Sequence, residues 1–427
     1  MNTKQTEIGE IPADWEVVKL GECLKTAPKY GINAPAVALE GNLPVYIRIT
    51  DISDDGFFMP SEKVGVRHAM AENYLLENGD LLLARTGASV GKSYLYNEKD
   101  GKLVFAGFLI KISPDNENLD SVFLSQYLKT EKYWQWVATI SMRSGQPGIN
   151  ATEYAGLQIP LPPFPEQTAI AAILSDTDRL LTTLRALIGK KRAVKTAAMQ
   201  QLLSGRLRLP GFAATGRLKN SELGEIPEDW EVVKIKEFTD CTAGGTPSTV
   251  ISEYWNGGIP WMNSGELHLK QVYDVSGRIT ELGLNNSSTS VVPKNSVLIG
   301  LAGQGKTRGT VAISRIPLCT NQSIAAVFPN NLFCSEYLFY NLENRYEELR
   351  SLSTGDGGRG GLNLTIIRNL AVPFPSHPEQ TAIAQTLSDM DSEIAALEAR
   401  AAKLAHIKQG LMQNLLTGKI RVNAGAA

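Results

Sequence analysis

The chain has 427 residues, of which 43% are apolar and 20% charged, and a formal net charge of -2. This is an ordinary globular composition with room for two or three domains, and the near-neutral charge weighs against an autonomous nucleic-acid binder. No stretch approaches the roughly eighteen apolar residues of a membrane span, and four scattered cysteines without a CxxC pair weigh against a zinc site or disulfide framework. The first twenty residues carry Lys4, Glu7, Glu10, Asp14 and Glu16 and no apolar run, so a cytoplasmic protein is expected.

In chain order, residues 7–20 (EIGEIPADWEVVKL) return as 222–235 (ELGEIPEDWEVVKI), offset by 215, with eleven of fourteen positions identical. Short β-type runs follow at 44–49, 80–83 and 103–105 in the first copy and at 259–261, 297–299 and 324–327 in the second. A helical segment is predicted after each set, at 119–140 and 332–352. Next come a polar glycine turn (144–150 and 353–363) and a proline-flanked strand. Residues 165–178 (PEQTAIAAILSDTD) and 378–391 (PEQTAIAQTLSDMD) then open a long helix in each copy, where Pro suits the first turn and Glu faces the positive end of the dipole.

Apolar residues in these helices step by four and three, from Ile170, Leu174, Leu181, Leu184 and Ile188 to Val194, Ala198 and Leu202 in the first. In the second they run from Ile383, Leu387, Met390, Ile394 and Leu397 to Leu404, Ile407, Leu411 and Leu415. That spacing is a coiled-coil seam, closed by Gly205 and Gly418 as left-handed caps; each helix would span roughly 57 Å. A seam cannot bury itself, and antiparallel pairing keeps the two globular modules apart. The predicted class is therefore α+β: two pseudo-two-fold-related α/β domains separated by an antiparallel coiled coil of two long helices. The expected boundaries are 1–164 and 222–377 for the domains, 165–205 and 378–418 for the helices, 206–221 for a basic linker, and 419–427 for a tail.

The copies agree at their ends and differ inside. Arg48-Ile49-Thr50-Asp51 and Arg85-Thr86-Gly87-Ala88-Ser89 in the first have no match in Met262-Asn263-Ser264-Gly265-Glu266 and Ala302-Gly303-Gln304-Gly305-Lys306 of the second. Two related modules with different polar loops suit recognition of two short elements on one extended ligand, such as duplex DNA.

These residues resemble the specificity (S) subunit of type I restriction-modification systems. The resemblance rests on IPxDWEV at 11–17 and 226–232, residues 84–92 (ARTGASVGK), Asn321-Gln322-Ser323, and Gly148-Ile149-Asn150 leading into Pro160-Leu161-Pro162-Pro163 and Pro165-Glu166-Gln167. It implies two target-recognition domains, each reading half of an asymmetric bipartite DNA sequence. It also implies assembly with two methyltransferase (M) subunits and, for cleavage, restriction (R) subunits. The chain itself would need no cofactor; S-adenosylmethionine, ATP and Mg would sit on partners. Under this reading Arg48, Arg85, Lys92, Arg143, Lys306, Arg308 and Arg359 are loop cations. Asn263, Gln304 and Gln322 are base readers through two-point amide bonds, and Thr50, Ser89, Gln146 and Ser264 complete the candidate DNA-binding set. The competing role for each is a solvated loop position or an internal cap.

Other signals weaken on inspection. Residues 300–307 (GLAGQGKT) fit the phosphate-loop pattern, but strand and turn residues follow where a helix is required. Leu161-Pro162-Pro163-Phe164 lacks the polar residue an amino-methyltransferase motif needs. Tyr133, Trp134 and Trp136 read as core rather than stacking platforms. Lys190, Lys191, Arg192 and Lys195 either track phosphates or form a solvated helix face. With no catalytic constellation in evidence, the chain reads as non-catalytic; the rivals are a coiled-coil adaptor and, less favoured, a P-loop NTPase.

Overall fold

The computed structural model describes residues 2–142, 147–212, 216–303, 305–352 and 361–422. It divides into two compact units, Met1–Arg185 with Ala399–Ala427, and Ala186–Glu398. The divisions fall inside the two long helices, Phe164–Leu202 and His377–Leu415, and not at the module edges expected from sequence. Each unit thus holds the first half of one long helix and the second half of the other.

Within each unit these halves run antiparallel. In the first, Arg421 reaches Glu166 while Lys408 reaches Asp178 at 2.6 Å, so one helix ascends as the other descends. In the second, Arg208 pairs with Glu379 and Lys195 with Asp391 in the same sense. Most of the predicted seam is buried, including Ile170, Leu174, Leu181, Leu184, Ile188, Ile383, Leu387 and Ile394. Two matched positions are not: Val194 is 55% and Ile407 47% exposed. Their neighbours Lys195 and Lys408 turn inward instead, each 16% exposed and bonded to an aspartate of the facing helix.

The first unit's antiparallel sheet has the order Leu24–Tyr30, Leu109–Pro114, Leu81–Ala84, Ser93–Leu95. Alternate residues serve two cores: Leu81, Leu83, Ile110 and Ile112 pack toward the helices, and Leu82, Ala84 and Leu109 join Ile47 and Phe105 on the other face. Burial on both faces explains the unbroken apolar runs. A second sheet holds Val45–Ile47 parallel to Leu103–Phe105. The second unit repeats the plan. Its five-stranded sheet centres on Val297–Gly300, with Val297 and Ile299 on one core and Leu298 on the other, and Trp255–Met262 runs parallel to Cys319–Thr320.

Each single predicted helical segment is two helices, Ser121–Tyr127 and Glu131–Ser141, then Ser335–Asn344 and Tyr346–Ser351. Thr130 makes the first break, its Oγ1 accepting the Tyr133 amide at 3.3 Å and donating to the Tyr127 carbonyl at 2.7 Å. The end of the expected linker, Leu218–Ser221, forms a hairpin with Gly224–Pro227, as Thr3–Thr6 does with Gly9–Pro12. Arg208, also in that stretch, bonds Glu379 at 2.5 and 2.8 Å and Asp229 at 2.8 and 2.9 Å. In the expected tail, Arg421 bonds Glu166 and Asp14 at 2.7–2.8 Å in the same pattern.

The buried Gln of each PEQ motif ties the long helix to the shorter ones. Gln167 accepts the Asp120 amide at 2.9 Å and donates to the Pro162 carbonyl; Gln380 accepts the Cys334 amide at 2.9 Å and donates to the Pro375 carbonyl. Among the described residues no helix is long and apolar enough to cross a membrane.

Candidate nucleic-acid interface

At one edge of each unit the same backbone scaffold carries different side chains. In the first, the Ala106 amide bonds the Ile47 carbonyl at 3.0 Å and the Arg85 amide bonds the Phe108 carbonyl at 3.1 Å. In the second, the Asn321 amide bonds the Met262 carbonyl at 3.0 Å and the Leu301 amide the Ser323 carbonyl at 2.8 Å. Three of these four residue correspondences keep the 215-residue offset, and the fourth, Arg85 to Leu301, differs by one. Arg48 therefore corresponds to Asn263 and Gly107-Phe108 to Gln322-Ser323. Each unit gathers three chain segments at this edge, and the candidates Arg48, Thr50, Arg85, Asn263, Ser264 and Gln322 stand on or beside them.

In the first unit Arg48 spends much of its fork internally, Nε and Nη2 bonding Asp51 at 3.0 and 2.8 Å. Those bonds raise its pKa, and the Arg48 amide donates to the same carboxylate at 2.8 Å, so Asp51 braces the turn Ile49–Asp51. Thr50 beside it is exposed. Arg85 lies with its guanidinium 4.8 Å from the centre of the Tyr30 ring, and no carboxylate is within ion-pair distance of it among the described residues. Ser89 is half-buried in the turn Gly87–Ser89. Lys92 belongs elsewhere: it pairs with Asp54 at 2.6 Å, in a cleft it shares with Lys129, Asp178, Arg185 and Lys408. Burial, and next Lys408, push the Lys129 ammonium pKa down.

In the second unit Asn263 caps the turn Ser264–Leu269, its Oδ1 accepting the Gly265 amide at 2.8 Å and its Nδ2 donating to Glu266 at 2.9 Å. The internal-cap role therefore occupies this amide, and Ser264 is half-buried beside it. Gln322 is exposed, its Oε1 accepting from Thr246 at 2.6 Å, and its amide nitrogen has no hydrogen-bond partner among the described residues. Lys306 is exposed in the loop between Val297–Gly300 and Val311–Ser314, two antiparallel strands. A hairpin there leaves no helix N-terminus to hold a nucleotide phosphate, which removes the phosphate-loop reading. Arg308 is half-buried in the same loop. Arg143, Gln146, Gln304 and Arg359 lie outside the described residues.

In the basic cluster on the first long helix Lys190 and Arg192 are exposed, and three of the four residues make ion pairs. Lys191 pairs with Glu393 at 2.7 Å, Arg192 with Glu398 at 2.6 Å and Lys195 with Asp391, tying the helices together within the second unit. Tyr133 is core, donating to the Gly91 carbonyl at 2.7 Å, while Trp134 is 40% exposed. Tyr30, Phe108 and Thr246 contact the candidate residues at this edge and are not among those picked from sequence. The 215-residue offset that maps 321–323 onto 106–108 is the signal that finds Phe108.

Residues 12–191 and 227–408 each match the type I restriction modification DNA specificity domain. The putative type I restriction enzyme MjaX specificity subunit of Methanocaldococcus jannaschii is 29% identical over 441 residues, covering 99% of this chain and 97% of that protein. The MjaVIII specificity subunit of the same organism is 27% identical, with 99% and 96% covered. The S subunit of a type I restriction-modification system from M. genitalium shares the fold, with a TM-score of 0.61, 17% identity, and 94% and 96% of the two chains covered. A structure described as the basis of complex assembly and conformational transition of the type I R-M system gives 0.55, 18%, and 96% and 99% covered.

Proposed function

Because this chain belongs to the type I restriction-modification DNA specificity family, we propose that it reads DNA sequence for such a complex, one half of an asymmetric bipartite target per unit. The observation that carries this is the equivalent edge of the two units. One backbone frame carries Arg48, Arg85 and Phe108 in the first and Asn263, Leu301 and Gln322-Ser323 in the second, as two different half-sites require.

The chain is non-catalytic and works in a complex with M and R subunits on DNA. Two M subunits per chain are expected, since each frame motif occurs twice. S-adenosylmethionine, ATP and Mg then sit on those partners. A net charge of -2 suits a subunit whose partners share the neutralisation of phosphate. Among the candidates Arg85, Lys306 and Gln322 are the best placed to touch DNA. Arg48 acts first as a partner of Asp51, Asn263 first as a cap, and Lys92 first as a partner of Asp54.

Mapping methylated adenines genome-wide with and without this chain tests the reading. Loss of one bipartite motif is expected, and an unchanged methylation pattern would overturn it.

A further inference from the structure

The first unit's edge holds an apolar concavity of about 330 Å³, walled by Ile32, Ala34, Tyr46, Ile49 and Phe108, with Arg48 and Thr50 at its side. Phe108 is 58% exposed. A single exposed aromatic on a surface needs no explanation. This one, however, stands on a braced turn. The Gly107 amide bonds the Ile32 carbonyl at 2.7 Å, the Leu109 amide bonds the Ala106 carbonyl at 2.8 Å, and the Phe108 carbonyl accepts from Arg85. The ring is therefore presented to solvent from fixed backbone, and Arg85, whose amide holds the Phe108 carbonyl, keeps its guanidinium over Tyr30, paired with no carboxylate among the described residues.

We propose that this concavity receives the 5-methyl group of a thymine in the half-site read by the first unit. Phe108 forms its outer wall, and Arg85 lies against a neighbouring phosphate. This rests on the DNA-reading function above and adds to it the base feature recognised. The thymine methyl is the one apolar group that base edges offer in the major groove, and an apolar wall next to a cation matches a methyl next to a phosphate. The second unit carries Gln322-Ser323 at the equivalent turn, with Gln322 bonded to Thr246. A polar reader replaces the apolar one there, so the two half-sites differ in kind at this position.

The test uses the chain in complex with its M subunits and the target duplex identified from the methylation map. Each thymine of the first half-site is replaced singly by uracil, which removes only the methyl group, and affinities are measured for wild type and Phe108→Ala. One replacement is expected to weaken wild-type binding roughly three- to five-fold, the scale of one buried methyl. The same replacement should cost Phe108→Ala nothing, while replacements in the other half-site affect both proteins equally. Thermal unfolding of Phe108→Ala should match wild type, because the ring is exposed. A half-site without thymine, no uracil effect, or an undiminished penalty in Phe108→Ala would overturn the subsite while leaving target recognition intact. A wild-type complex that fails to distinguish target from scrambled duplex would overturn the DNA-reading function and the subsite with it.

Discussion

The indole of Trp230 donates to Glu379 Oε2 at 3.0 Å, and the indole of Trp15 donates to Glu166 Oε2 at the same distance. This links IPxDW to PEQ in each copy. The carboxylate takes the tryptophan from its own module and the arginine that follows the other long helix, Arg208 or Arg421. Glu379 is 2% exposed, so Glu379→Ala leaves Arg208 half-stranded and should destabilise the second unit by about 3–5 kcal/mol. Trp230→Phe, which removes one bond to a charged group, should cost about 1.5–3 kcal/mol. Hydrogen exchange resolved by peptide should show the loss in residues 186–398 and little change elsewhere.

Gly205 and Gly418 end the two long helices at φ values of +71° and +70°. A Cβ on Gly205 would run into Pro227 and crowd Trp230, and one on Gly418 would do the same to Pro12 and Trp15. Strain and clash act together, so Gly205→Ala or Gly418→Ala should each cost more than the roughly 1 kcal/mol of an ordinary left-handed cap. Urea unfolding measures this. Gly410→Ala is the control, since that Cβ meets nothing and the helix gains propensity.

Acid should open these clamps. The bonds from Arg208 hold the Asp229 carboxyl below its ordinary value against a smaller effect of burial, and Arg421 does the same to Asp14. A carboxyl lowered by folding stabilises the folded state above its unfolded pKa, near 4, and that contribution is lost as pH falls through the lower folded value. The acid limb of a stability curve below about pH 4 should therefore flatten in Asp229→Asn, whereas stability near neutrality changes little with pH.

Lys306→Ala should leave thermal stability unchanged and lower the salt slope of specific DNA binding by about 0.9, the signature of one lost phosphate contact. Asn263→Ala should behave differently. Its side chain caps Ser264–Leu269, so about 1 kcal/mol of stability should go with any change in affinity. Salt titrations alongside thermal unfolding separate the two cases.

The sequence by itself determined the duplication, the two long helices, the glycine caps and the family. Repeats and 3.5-residue periodicity are properties of residue order and need no coordinates. It also contains the matching Gly205-Arg206-Leu207-Arg208 and Gly418-Lys419-Ile420-Arg421, at the starts of the expected linker and tail. Only the tertiary structure decided what those arginines do, because their carboxylates lie far along the chain, Glu379 for Arg208 and Glu166 for Arg421. It likewise gave Asn263 a capping role and paired three of the four basic residues at 190–195 with acids of the facing helix. Phe108 came into view through the same folding of distant segments. A side chain's role depends on its neighbours, and at these positions the neighbours arrive from other segments through packing or local turn geometry that residue order does not display.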